Sequence, residues 1–151
     1  KLLPLLSLLL IFGCTSEESI NLETKLVEKD GVYYTKDTNT PYSGRVFSLH
    51  ENGKKRGEGT LKDGTLDGSY TSWYDNGQKE TKGSFKDKFP DGLYTVWYKN
   101  GQKEEEYTFK DGGIDGLYTK WYENGQKKEE KTYKFGKEVS SEEWNEDGSV
   151  N

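Results

Sequence analysis

Apolar and polar positions along this chain follow two nested intervals. In the stretch Leu93–Tyr98, alternation puts Tyr94, Val96 and Tyr98 on one side of an extended strand and Leu93, Thr95 and Trp97 on the other. The polar pair Asn100-Gly101 follows. Beyond it, Glu105, Tyr107 and Phe109 alternate with Glu104, Glu106 and Thr108 before Asp111-Gly112 breaks the pattern again. Aromatic and β-branched runs interrupted this often predict strands joined by hairpins and leave no length for helices. Asn-Gly is expected to form a two-residue turn in which both positions take positive φ. Asp63-Gly64, Asp67-Gly68 and Asp111-Gly112 read as turns as well.

This hairpin is one copy of a repeat. Trp73, Trp97 and Trp121 recur every 24 residues, as do Gly44, Gly68, Gly92 and Gly116. Leu61, Phe85, Phe109 and Tyr133 keep the same step, each followed by Lys. A fixed period of this length marks stacked units that complete one another's packing. The predicted fold class is all-β: an elongated, single-layer antiparallel meander of stacked β-hairpin repeats. The repeats are expected at 44–67, 68–91, 92–115 and 116–138, after an N-terminal lead-in and cap at 25–43. A partial repeat and cap, with Trp144 one residue out of step, fills 139–151. The first repeat is degenerate. It carries Leu49-His50 where later units have Trp-Tyr, so His50 reads as a stand-in for the repeat tyrosine.

The start of the chain departs from the pattern. Leu2 to Phe12 is apolar except for Pro4 and Ser7, the length of a signal-peptide hydrophobic region and too short to span a bilayer. It ends in Ile11-Phe12-Gly13-Cys14, which resembles a bacterial lipobox. The resemblance implies a signal peptide at 1–13, lipidation of Cys14 and a tether over 14–24. It also implies a membrane-anchored lipoprotein of the cell envelope, on the periplasmic or surface side, held firmly by its two or more acyl chains.

Composition sharpens this reading. Hydrophobic residues make up 30% and charged residues 32%, thin for a conventional core, yet aromatics at 14% argue against disorder. The net charge of −5 is interspersed and no basic cluster stands apart, so no nucleic-acid partner is expected. With one histidine and one cysteine there is no His/Cys metal cluster, intrachain disulfide or nucleophile–histidine set. Carboxylates such as Glu104 to Glu106 and Glu129-Glu130 read as a solvated face that protects strand edges. The Asp-Gly turns lack EF-hand spacing. No enzymatic activity, cofactor, metal or small-molecule substrate is expected.

The remaining candidate is a binding strip made of Tyr70, Trp73, Tyr74, Tyr94, Trp97, Tyr98, Tyr118, Trp121 and Tyr122. The turns Asn76-Gly77, Asn100-Gly101 and Asn124-Gly125 would hold it. A tryptophan column also serves a purely structural end, since each unit needs one large apolar residue to stack. As a strip it suits protein partners, whose hot spots favour Trp and Tyr, or cell-wall glycans. The frame G-x-Y-x-x-W-Y-x-N-G-Q-K followed by K-D-G-x-x-D-G resembles the bacterial variant of the MORN repeat from about Gly31 to Gly136. Proteins of this kind are similar to the YwqK family of toxin–antitoxin antitoxins. The Pro41 and Gly44 of the tyrosine-rich lead-in fit that likeness. The resemblance implies stacked hairpins without catalytic residues. The expected function is a membrane-anchored scaffold that binds a protein or serves the envelope. The alternatives are an antitoxin that neutralises a cognate toxin by direct binding, and a glycan binder.

Overall fold

The computed structural model describes residues 18–151. Cys14, the expected signal peptide and the first part of the expected tether lie outside the described residues. The chain is all-β apart from one helical turn. Its elements are β1 (Ile20–Asn21), α1 (Leu22–Lys25), β2 (Leu26–Lys29), β3 (Val32–Thr35), β4 (Gly44–Leu49), β5 (Lys55–Lys62) and β6 (Thr65–Trp73). They continue with β7 (Lys79–Lys86), β8 (Phe89–Pro90), β9 (Gly92–Trp97), β10 (Lys103–Lys110), β11 (Gly113–Trp121), β12 (Lys127–Lys134) and β13 (Lys137–Glu143).

An 11-stranded open sheet runs β1-β4-β5-β6-β7-β9-β10-β11-β12-β13, with β8 paired to β7. From β4 onward every pairing is antiparallel between strands adjacent in the chain, save that β9 joins β7 past the short β8. The predicted meander of hairpins is the observed architecture. Pro90 marks the one break in it, since a proline cannot donate to the ladder.

Two local expectations need correction. Asn-Gly does not make a two-residue turn. Tyr74 N–H donates to the Gln78 carbonyl and Gly77 N–H to the Tyr74 carbonyl, both at 2.9 Å, closing a three-residue loop in which only Gly77 (φ 91°) is left-handed. Asn76 serves through its side chain, whose Oδ1 accepts the Gln78 N–H at 2.9 Å. Loops at Asn100-Gly101 and Asn124-Gly125 repeat this geometry. The two-residue turn with both φ positive falls instead at Asp63-Gly64 (49° and 80°) and Asp111-Gly112 (52° and 80°). Asp67-Gly68 is no turn at all. It lies inside β6, where the register against β5 shifts between Gly59 and Leu61.

The N-terminal end is not a single layer. A second, two-stranded sheet, β2–β3, packs there. Residues expected in the tether form β1, parallel to β4, and α1, whose first turn is capped by Asn21 Oδ1 accepting from Glu23 and Thr24 N–H. Leu26, Val46 and Leu61 are buried together, with Ile20, Leu22, Tyr33, Tyr42 and Leu66 against them. Leu22 and Leu26 give these residues something to bury, which a polar tether would not have.

Candidate binding face

The expected strip of nine aromatics is divided among three places. Trp73, Trp97 and Trp121 sit at strand ends and point to one face of the sheet. Tyr70, Tyr94 and Tyr118 point to the opposite face. Tyr74, Tyr98 and Tyr122 lie beyond the strand ends, in the hairpin loops.

The loop tyrosines are structural. Tyr74 donates its hydroxyl to the Trp97 carbonyl at 2.7 Å, Tyr98 to that of Trp121 at 2.8 Å, and Tyr122 to that of Trp144 at 3.0 Å. His50 Nε2 makes the same contact with the Trp73 carbonyl at 2.7 Å, the geometry its place in the repeat implies. Beside each tyrosine, the loop asparagine donates to a carbonyl of the next loop: Asn52 to Asp75, Asn76 to Lys99, Asn100 to Glu123 and Asn124 to Glu146. Gln78, Gln102 and Gln126 pack where a Cβ on Gly101, Gly125 and Gly148 would stand. Each loop therefore clasps the loop of the following repeat. Trp144 belongs to this series although its sequence spacing is one residue short.

The second tyrosine set forms an aromatic ladder. Tyr70 meets Phe85 edge-on at 6.1 Å between ring centroids, Phe85 meets Tyr94 at 6.3 Å and Tyr94 meets Phe109 at 6.2 Å. Tyr107 and Tyr118 lie 5.0 Å apart. Gly83 makes room for this ladder, since a side chain there would run into the Tyr94 ring. At its centre Glu105 accepts from Tyr107, from Lys120 at 2.6 Å and from Tyr118 at 3.5 Å. Burial opposes the Glu105 charge, but the Lys120 and Tyr107 hydrogen bonds and the Lys120 charge outweigh it and hold the carboxyl below its usual range. Burial, with Glu105 beside them, pushes the Tyr107 and Tyr118 hydroxyls well above the ordinary phenol value. The Lys120 ammonium is pushed up by its bond to Glu105.

The tryptophan face is built by a bulge. Trp73 opposes Lys79, but its neighbour Ser72 opposes Thr81, leaving Glu80 as the extra residue. The same shift occurs at Trp97–Lys103 and Trp121–Lys127. It aims each lysine at the tryptophan of the following unit. Lys55 lies over Trp73 at 5.5 Å, Lys79 over Trp97 at 5.7 Å, Lys103 over Trp121 at 5.5 Å and Lys127 over Trp144 at 5.3 Å. Such contacts are worth roughly 0.5–1 kcal/mol at exposed sites. Three of the four lysines are also paired three residues on: Lys55 with Glu58 and Lys103 with Glu106 at 2.6 Å, and Lys127 with Glu130 at 2.5 Å. The result is an alternating row of half-exposed indoles and ammonium groups. The sequence reading missed these lysines. Their signal was present in the lysine after each Asn-Gly-Gln.

Among the described residues, no three His, Cys, Asp or Glu are placed to hold a metal, and no helix is long and apolar enough to cross a membrane. Residues 66–87, 90–111 and 114–135 match the MORN repeat variant. These three stretches are similar to that repeat, and the loop clasps extend the same geometry one unit beyond them on each side. No curated protein and no solved structure matches the chain.

Proposed function

We propose that this protein is a non-catalytic repeat scaffold that offers its tryptophan–lysine face to a protein partner in the bacterial envelope, anchored there by lipid on Cys14. The observation that carries the reading is the division of the aromatics. The loop tyrosines spend their hydroxyls between repeats and the ladder tyrosines pack against one another. Trp73, Trp97 and Trp121 stay half-exposed in one row, and among the described residues none of their indole N–H groups has a hydrogen-bond partner. Lysines already fixed over the rings lower the ordering cost of binding. Aromatic anchors in a flat, mixed-charge setting suit a protein surface.

The test is cross-linking in the producing cell from a photoreactive residue at Leu93, which is 57% exposed and shares the tryptophan face, with Lys62, at the same edge but three strands away on β5, as control. A defined protein adduct at 93, absent at 62 and lost in Trp97→Ala while thermal unfolding stays cooperative, supports the reading. An adduct to cell-wall glycan alone, or one indifferent to Trp97→Ala, refutes it. Fatty-acid labelling of wild type against Cys14→Ala addresses the anchor. A soluble, unlabelled cytoplasmic chain would turn the search toward a cognate toxin.

A further inference from the structure

We infer that the partner lays a short acidic segment across the step between Trp73 and Trp97, its carboxylates on Lys79 and Lys82. This rests on the scaffold reading above and names the chemistry of its partner.

The argument starts from one broken rule. The position three residues after each ring-capping lysine is Glu58, Lys82, Glu106 and Glu130 in successive units. Three of these glutamates neutralise their lysine. In the second unit the charge is reversed. Lys79, over Trp97, has no carboxylate, and Lys82 adds a second cation on the same face. Among the described residues neither forms an ion pair, and both are exposed. Lys82 pairs with Thr71 on one side and Thr95 on the other, so both its cross-strand neighbours are uncharged. The next acids on this face, Glu58 and Glu106, are two strands away, about 10 Å by strand spacing, and each is tied to its own lysine.

A second observation marks the same place. A groove of about 340 Å³ opens between the two indoles, lined by Trp73, Gly77, Gln78, Lys79, Trp97 and Gly101. Ring edges and the Lys79 ammonium line this groove, and Lys82 stands three residues further along β7 on the same face, an arrangement that fits a segment alternating apolar and acidic side chains. Lysine meets a carboxylate as a point charge and needs no planar, bidentate geometry. The surrounding charge decides between a short segment and a polyanion. The chain is −5 overall, so an extended polyanion is repelled by the rest of the surface, while a few carboxylates placed locally are not.

The experiment uses the full chain in neutral detergent and the peptide Ac-Leu-Glu-Glu-Leu-Glu-Glu-amide, followed by tryptophan fluorescence. Counterparts with Gln and with Lys in place of Glu serve as controls. The acidic peptide is expected to bind at least tenfold tighter than either, and to weaken as salt rises from 50 to 500 mM. Lys82→Glu should weaken it at least tenfold without lowering the unfolding midpoint, because a glutamate there restores the ion pair of the other units. Lys82→Gln should weaken it by about threefold. Equal binding by wild type and Lys82→Glu overturns the inference. So does displacement of the peptide by phosphatidylglycerol vesicles, which would assign the patch to a lipid surface. The Leu93 cross-link separates the two proposals. An adduct lost in Trp97→Ala but retained in Lys82→Glu sinks the acidic partner alone, and one retained in both sinks the scaffold reading as well.

Discussion

The two ends of this sheet are held by different means. At the N-terminal end Leu26, Val46 and Leu61 are buried under a second layer, the nearest thing the molecule has to a conventional core. At the C-terminal end β13 is exposed along its whole length, and stability comes from backbone pairing and side-chain ladders. Between them the units repeat the same fastenings: a loop clasp on one edge and a lysine on a ring on one face, with aromatic contacts on the other from Tyr70 to Tyr118. The comparison teaches that the repeats do not each need a core. They need one capped end and a set of contacts that pass from unit to unit, which is how a quasi-one-dimensional protein distributes stability.

The sharpest way to break the comparison is to make the same change at both ends. Leu61 and Tyr133 occupy equivalent repeat positions, but Leu61 is 2% exposed and Tyr133 only half-buried. Leu61→Ala should cost about 3 kcal/mol, as truncation in a filled core does. Tyr133→Ala should cost about 1 kcal/mol, since its surroundings are open to water. Urea denaturation of the two variants measures the difference. Equal costs would mean that the N-terminal cluster is no core at all.

That asymmetry was only partly visible in the sequence. Period, strand alternation and turn positions followed from Trp, Gly and Asp spacing, because each strand pair is local and its register is set by nearby turns. The second layer was not legible. Leu22 and Leu26 are short apolar notes in a polar stretch, and only the three-dimensional return of β2–β3 onto β4 and β5 gives them a partner. Turn types were exchanged for a similar reason. Asn-Gly satisfies the rule for a two-residue turn, but in this fold Asn76, Asn100 and Asn124 are selected to reach the next loop. The tryptophan row was legible as a column. Its lysine partners recur after each Asn-Gly-Gln, but the bulge that aims them at the rings is not a feature of residue spacing.

The ladder on the opposite face gives the next effect, read along the pH axis. Glu105 is the shared acceptor of Tyr107, Tyr118 and Lys120. Its folded-state pKa is depressed, so the stability it lends is present above the unfolded carboxyl value and is lost as pH falls through the folded one. Glu105→Gln should cost about 1.5–3 kcal/mol at pH 7, the range for hydrogen bonds to a charged group. The wild-type advantage should shrink as denaturation is followed downward from pH 5. An advantage that held constant into acid would show that Glu105 acts by shape alone.

A smaller effect tests the clasp. Tyr98→Phe removes only the hydroxyl that donates to the Trp121 carbonyl, and should cost about 1 kcal/mol. His50→Phe removes the corresponding contact with Trp73 beside the capped end. If units are fastened alike along the sheet, the two costs agree within about 0.5 kcal/mol. A much smaller cost at His50 would mean that the cap makes the first clasp redundant.

The smallest effect has the opposite sign. Asp30, Asp63, Asp87 and Asp111 each open a two-residue turn with positive φ, and at the fifth such turn the residue is Phe135, with φ 53° and 93% of its surface exposed. A bulky side chain in the left-handed region costs about 1–2 kcal/mol, which a short polar side chain partly relieves. The turn N–H at 135 already meets Asp115 Oδ1 at 3.3 Å, as that of Asp87 meets Asp67 Oδ2 at 3.2 Å, so an aspartate would enter a geometry the molecule uses elsewhere. Phe135→Asp should therefore stabilise the C-terminal end by about 0.5–1 kcal/mol. Amide exchange across β12 and β13 is the measurement, because the gain belongs to the end without a core and should slow opening there first. Slower exchange confined to these strands would confirm that the two ends open independently. A gain spread evenly back to β4 would make the whole sheet one cooperative unit, and the contrast between its ends one of packing rather than of stability.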